Sequence, residues 1–387
     1  MATVFIKCSK QSPLLLHQRV LWFLRTLLSS IKYCSLIFRN ICCSVFIRKK
    51  NDKTGQTCCK VLAINIQALG DTTIGLDAFR LIKAWADESS DRHAVFVVRE
   101  QYRDWVESRI DGAIVLGLTD SIKHISVLEE YYDCLVDFDS SLKLSGCIIQ
   151  RNHFFSHRYG IRSRGKRFWY DDGVDWKDVN SIPSEKTLTK VGSLYVQLAR
   201  MAMGITYIGL PKPVSYTKRA KRIVIHPGVS HVSNGWCCYP ELIARLAEMY
   251  DGNVVVVGHE QDSNLVRSVI KSIPEEVANR IQYEKTENVM NLAAVIDSAE
   301  LFIGNNSGPL HVAAEMGVKT LSIAGPSPSI WFPVHGTEDS GRHSVIVADL
   351  ECCGCDVPSR CPYGLHCFKV ITVDDVIECV KGIVLKY

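Results

Sequence analysis

The sequence predicts an α/β chain of two doubly wound, Rossmann-like domains facing each other across a cleft. Three observations carry this expectation. The chain has 387 residues, too many for one small core. Short apolar runs alternate with glycine turns and helical periodicity. The same grammar then starts again after a proline-containing stretch near the middle. With 47% hydrophobic and 22% charged residues, the composition excludes a disordered chain. A formal charge of +4 is too small to select a partner, so the placement of charge matters more.

Residues 1–57 stand apart as a basic amphipathic N-terminal extension. Leu15, Val20, Phe23, Leu27 and Ile31 are interleaved with Arg19, Arg25, Lys32 and Arg39. No run of about 20 residues there lacks a charge, which argues against a spanning helix. The pattern predicts a helix lying in a membrane interface, or an extra helix packed on the remainder. No compact apolar core followed by a small-residue cleavage site marks a signal peptide. Sixteen cysteines include the adjacent pairs Cys42-Cys43, Cys58-Cys59, Cys237-Cys238 and Cys352-Cys353. That is unlike a regular extracellular disulfide framework, so a reduced, cytoplasmic setting is expected.

Residues 58–212 read as the first domain and 213–387 as the second. The first opens on a buried strand, Val61–Ile66, then the turn Gln67-Ala68-Leu69-Gly70-Asp71. Ile74, Ala78, Leu81, Ile82 and Trp85 follow on one helical face. Further strands are expected at Ala94–Val98, Ala113–Leu116 and Cys134–Phe138. A linker is expected at Leu210-Pro211-Lys212-Pro213. The second domain restarts with Arg222–His226, Asn253–Val257, Leu301–Ile303 and Thr320–Ala324. A closing helix at Thr372–Leu385 is expected to pack back across the hinge.

The most informative segment is Gly304-Asn305-Asn306-Ser307-Gly308-Pro309-Leu310-His311-Val312-Ala313-Ala314. A strand ends, a polar glycine turn follows, and Pro309 sits where a first helical turn tolerates it. The helix start points free N–H groups and a positive dipole end beyond the strands, which suits a diphosphate. A ligand-free strand-to-helix turn is the plain alternative. The runs ending His226-Pro227-Gly228, Gly258-His259-Glu260 and Gly325-Pro326-Ser327 bring polar turns to the same edge. Gly228 and Gly308 allow close approach to a phosphate, and Glu260 offers an acceptor for sugar hydroxyls.

The run Asn306 to Ala314, followed by Gly325-Pro326-Ser327-Pro328, resembles the signature of the lipopolysaccharide heptosyltransferases, family 9 of the glycosyltransferases. Ala68-Leu69-Gly70-Asp71 and His226-Pro227-Gly228 match in the same order, and the likeness covers about residues 60–380. It implies a GT-B fold and inverting, metal-independent transfer of a sugar, heptose or related, from a nucleotide diphosphate donor such as ADP-heptose. It requires no cofactor. The implied acceptor is a lipid-linked glycan, the lipopolysaccharide core, and the implied place is the cytoplasmic face of the inner membrane, bound peripherally. By this similarity Asp71 is the general base toward the acceptor hydroxyl, with capping of the next helix as the alternative. Donor-binding roles fall to His226, Gly228, Glu260, Asn306, Ser307, Gly308 and His311, although a buried structural role also suits His311.

Two departures stand out. Family members carry aspartate at the position of Asn306. They also place lysine just before the tryptophan, whereas this chain reads Ser233-Asn234-Gly235-Trp236, leaving Lys218 or Arg219 as substitutes. A non-catalytic nucleotide- or glycan-binding member and a GT-B-like epimerase are the rival readings. Cys352, Cys355, Cys361 and Cys367 have a compact spacing open to structural zinc, disulfides or thiols, so no catalytic metal is expected. The basic stretch Arg151 to Arg167 includes His157 and Arg158. It reads as an anionic-acceptor surface or a solvated loop, and no nucleic-acid motif accompanies it.

Overall fold

The computed structural model describes residues 2–6, 59–118, 131–140, 155–163, 166–182, 188–205, 219–228, 235–259, 263–333, 342–356 and 361–384. The chain divides into two compact units. One contains the six-stranded sheet β4-β3-β2-β5-β6-β7, made from β2 (Lys60–Asn65), β3 (His93–Arg99), β4 (Ile114–Leu118), β5 (Tyr132–Asp137), β6 (Phe155–Arg162) and β7 (Asp172–Asp175). The other contains the seven-stranded sheet β1-β13-β12-β11-β8-β9-β10. Its strands are β1 (Ala2–Ile6), β8 (Arg222–His226), β9 (Asn253–His259), β10 (Ile281–Thr286), β11 (Leu301–Asn305), β12 (Lys319–Ile323) and β13 (His343–Ala348). Every strand pairing among the described residues is parallel.

Counting strands within each unit and setting β1 aside, both sheets have the order 3-2-1-4-5-6. That is the Rossmann arrangement, and it fixes where ligands go. Strand order reverses between β2 and β5 in one sheet and between β8 and β11 in the other, and in open parallel sheets ligands bind beyond the strand ends at such reversals.

Parallel sheets are covered on both faces, so their strands are apolar without alternation. Val254 to Val257 are all buried, as are Val61 to Ile64. Each fully buried branched side chain contributes about 1.5–3 kcal/mol. The first helical face falls as expected, with Ile74, Ala78, Leu81, Ile82 and Trp85 all buried. The helix itself is broken into Leu69–Ile74 and Leu76–Asp87. A β-carbon at Gly75 would stand 2.6 Å from Asn65 Nδ2, the group that donates to the Asp71 carbonyl at 3.1 Å. Glycine therefore lets the helix bend tightly over the end of β2.

Four expectations change. The closing helix, Val373–Val384, buries Val373, Val376, Ile377 and Val380 in the core that also contains Leu242, Ile243 and Leu321 of its own unit. Its apolar face is filled within that core. Residues 155–162, read as a basic loop, form a strand, since Phe155, Tyr159 and Ile161 alternate with the charges. β10 and β13 were not anticipated, β10 because Glu284 and Lys285 break its apolar run. Within the expected helical extension, Ala2–Ile6 is a strand paired with β13, in keeping with its β-branched sequence. The rest of that extension and the 210–213 linker lie outside the described residues. No described helix is long and apolar enough to cross a membrane.

Candidate active site

The carboxylate of Asp71 sits in the third position of the helix Leu69–Ile74, just beyond β2 at the first reversal point. The turn before it is braced from several sides. Gln67 Nε2 donates to the Phe138 carbonyl and to the Tyr195 hydroxyl, both at 3.0 Å, and Ser140 Oγ donates to Gln67 Oε1 at 3.1 Å. Arg99, at the end of β3, donates from Nε to the Ile66 carbonyl at 2.7 Å. Trp105 Nε1 donates to Thr73 Oγ1, which donates in turn to the Leu69 carbonyl. Asp71 is half-buried.

Burial is the largest influence on its carboxyl, lifting the pKa from 3.8 to about 7, with the nearby Asp139 adding to the rise. The backbone amides of Asp71 and Ala68 and the Arg99 guanidinium pull the other way and lose. Asp71 sits where a capping carboxylate reaches back to the N-cap amide.

At the second reversal point, β8 ends on His226 with Gly228 just beyond, both buried. β11 ends on Asn305. Asn306 and Ser307 make the turn, and the helix Gly308–Glu315 begins with Ser307 as N-cap and Pro309 in its first turn. The N-cap side chain makes no capping bond, Pro309 has no N–H and Leu310 N–H donates to the Ser307 carbonyl at 3.1 Å, so the Gly308 amide is the one at the helix start without an intrahelical partner. His311 is buried within the helix. Asn306 Oδ1 is buried and meets no donor among the described residues.

Asn305 has a role that sequence reading missed. Its Oδ1 accepts from the Trp236 amide at 3.2 Å and its Nδ2 donates to the Pro227 carbonyl at 3.3 Å. It ties the ends of β8 and β11 to the start of the helix Tyr239–Met249, and the only sequence signal was a second asparagine beside Asn306. Asn305→Ala leaves a buried N–H and a buried carbonyl unmet. The expected loss is about 2–4 kcal/mol of stability, read from the urea midpoint of the second unit; an unchanged midpoint would contradict the brace.

Other candidates fall elsewhere. Glu260 and Arg151 lie outside the described residues, as do Lys218 and residues 229–234. Arg158 lies mid-strand in β6, level with Leu135, and forms an ion pair with Asp171 at 3.2 Å. His157 is exposed one residue earlier. Arg219 does not replace the missing lysine. It is tied to Asp297 at 2.9 Å and to the Met316 carbonyl at 2.7 Å, at the far end of the helix Gly308–Glu315. Cys352, Cys355, Cys361 and Cys367 are free thiols. Among the described residues no three His, Cys, Asp or Glu side chains are placed to hold a metal ion.

The second reversal point falls inside a sequence match. Residues 182–353 match the profile of Glycosyltransferase family 9 (heptosyltransferase). This stretch is similar to glycosyltransferase family 9. Lipooligosaccharide heptosyltransferase 2 of Campylobacter jejuni serotype O:2 is 30% identical over 122 residues, covering 28% of this chain and 37% of that protein. The chain thus matches just over a third of the length of this curated relative. The fold agrees along far more of the chain. The family 9 glycosyltransferase of Veillonella parvula aligns with TM-score 0.63 and 16% identity, over 84% of this chain and 97% of that one. The heptosyltransferase WaaC of E. coli, solved with ADP, aligns with TM-score 0.58 and 13% identity, over 83% and 97%. The architecture is therefore that of the GT-B heptosyltransferases, two parallel-sheet α/β domains.

Proposed function

We propose that the chain is an inverting, metal-independent glycosyltransferase moving heptose or a related sugar from a nucleoside diphosphate donor to a lipid-linked glycan. Domain 58–212 takes the acceptor and domain 213–387 the donor. The observation that carries the reading is that one chain has both halves of the chemistry at matching reversal points. One is a carboxyl poised near pH 7 after β2, the other an uncapped helix start after β11.

In this reading Asp71 accepts the proton of the acceptor hydroxyl as its oxygen attacks the anomeric carbon. The bond to the diphosphate breaks from the opposite face, which inverts the configuration. Negative charge grows on the leaving diphosphate, and the amides at Ser307 and Gly308 stabilise it without having to reorganise. His226, Gly228 and His311 line the same strand ends. The buried Asn306 Oδ1 is suited to accept from a donor-sugar hydroxyl. The basic residues of the N-terminal stretch favour an anionic membrane surface on the cytoplasmic side.

Titration calorimetry of the full chain against ADP, UDP and GDP, then against the sugar-bearing form of whichever binds, tests the donor half. One nucleoside diphosphate is expected to bind tightly, in the absence of added metal. No binding to any of them would sink the reading. A second reading, a binding protein without turnover, is favoured by Asn306 and by Gly235 before Trp236. It predicts saturable donor binding with neither transfer nor hydrolysis of a labelled donor.

A further inference from the structure

Of the four adjacent cysteine pairs in the sequence, one is arranged for chemistry that sugar transfer does not use. Cys237 and Cys238 lie between Trp236 and the helix Tyr239–Met249, and their sulfurs meet at 3.4 Å. Cys237 is exposed and Cys238 half-buried, both as free thiols. The pair is held from either side. On one, the Trp236 amide donates to Asn305 Oδ1 at 3.2 Å and the Trp236 indole Nε1 to the Ile371 carbonyl at 3.0 Å. On the other, Cys238 is the N-cap of the helix, and its carbonyl accepts from the Leu242 amide at 3.1 Å. Tyr239 packs edge-on against the Trp236 ring, with centroids 5.3 Å apart, so the residues bracketing the pair also fasten each other. Cys352 and Cys353, adjacent in the same unit, differ, because Cys353 Sγ donates to the Gly325 carbonyl at 3.0 Å.

We propose that Cys237 and Cys238 form a thiol–disulfide exchange site that takes a small-molecule disulfide and ends as an internal Cys237–Cys238 disulfide. Exposure makes Cys237 the sulfur that an incoming disulfide reaches. Its thiolate attacks one sulfur of the reagent, the S–S bond there breaks, and the departing thiolate takes up the proton that Cys237 gave away. Cys238 then gives up its own proton and attacks the Cys237 sulfur. The mixed disulfide breaks, and the second small thiol leaves with that proton. Two cysteines are oxidised and one disulfide is reduced to two thiols. Burial is the main influence pushing the Cys238 thiol up, to about 12, and the Cys237 sulfur adds to it by hydrogen bond and charge. The first exchange removes that second contribution, which readies Cys238 for its attack. Adjacent Cα atoms stand about 3.8 Å apart across a trans peptide, less than the roughly 4.4–6.8 Å that disulfides usually span. The closed ring is therefore easily reduced, as suits a reversible modification. The site draws on neither Asp71 nor a bound nucleotide, and so stands apart from the proposed transfer.

The experiment incubates the reduced full chain with oxidised glutathione, quenches with acid, alkylates the remaining thiols in denaturant and maps the peptides by mass spectrometry. In wild type the peptide holding Cys237 and Cys238 is expected to lose two hydrogens and to carry neither glutathione nor alkyl group. Dithiothreitol is expected to restore both thiols to alkylation. Cys238→Ser is expected to stop at the mixed disulfide, with glutathione held on Cys237. Cys237→Ser is expected to leave Cys238 open to alkylation, taking up glutathione about 10-fold more slowly than Cys237 does. Glutathione remaining on Cys237 of wild type, both thiols untouched, or a bond from either cysteine to a third overturns the proposal. Should a serine variant fail to fold, the wild-type peptide map alone decides.

Discussion

Asp71→Asn is expected to lower sugar transfer by about 10²–10⁴-fold while making the protein harder to unfold. The two effects share one cause. The native carboxyl has a pKa of about 7 against 3.8 for the ordinary group, so the native state binds more protons than the unfolded state between those values. Stability therefore falls as pH rises through that window, and the penalty is fully present above pH 7. Asparagine carries no charge and removes it. Allowing for the solvent that reaches a half-buried group, the gain is about 1–3 kcal/mol at pH 8 and vanishes below pH 4. Urea unfolding of both forms at the two pH values, beside a labelled-donor assay, checks this. A variant that still turns over at the wild-type rate, or is no more stable at pH 8, argues against the assignment.

The largest loss of stability is expected from Lys166→Met. The side chains of Lys166 and Asp137 are both fully buried, and the pair is 3.1 Å apart. Removing the ammonium leaves a carboxylate inside the protein that still accepts from the Tyr170 hydroxyl and the Asp139 amide. Breaking a buried pair on one side costs about 3–5 kcal/mol, whereas replacing both partners by neutral groups is far milder. The double variant Lys166→Met with Asp137→Asn should therefore unfold closer to wild type than the single one. Equal destabilisation in single and double variants would show that packing, rather than charge, dominates the site.

Strands and their ends were largely legible because parallel strands announce themselves as unbroken apolar runs. Val61 to Ile64, Val254 to Val257 and Leu301 to Ile303 needed no partner to be recognised. Asp71 and the Ser307–Gly308 turn were legible for a related reason, since glycine and polar residues directly after such runs mark strand ends. What stayed hidden depends on partners distant in sequence. β6 looked like a charged loop because Arg158 and Arg162 find Asp171 and Asp172 only once β7 lies alongside. Lys166 looked like one more surface base, and nothing local says that it is buried against Asp137. Asn305 was indistinguishable from Asn306 until the ends of β8 and β11 came together. The tilt of Asp71 toward neutral pH is likewise a property of the packed crevice and not of the tetrapeptide that contains it.

The shared strand order of the two sheets means that Asp71 with Asp139, and Asn306 with Gly308, occupy equivalent addresses in two renditions of one plan. The furnishing is opposite. One address is crowded with carboxyls and the other presents unspent amides and no acid from the turn itself. On the proposed reading, a phosphate-bearing molecule sampling both is turned away from the first and retained at the second. Polarity alone, with no difference in backbone design, is enough to tell such a molecule which half of the chain to enter.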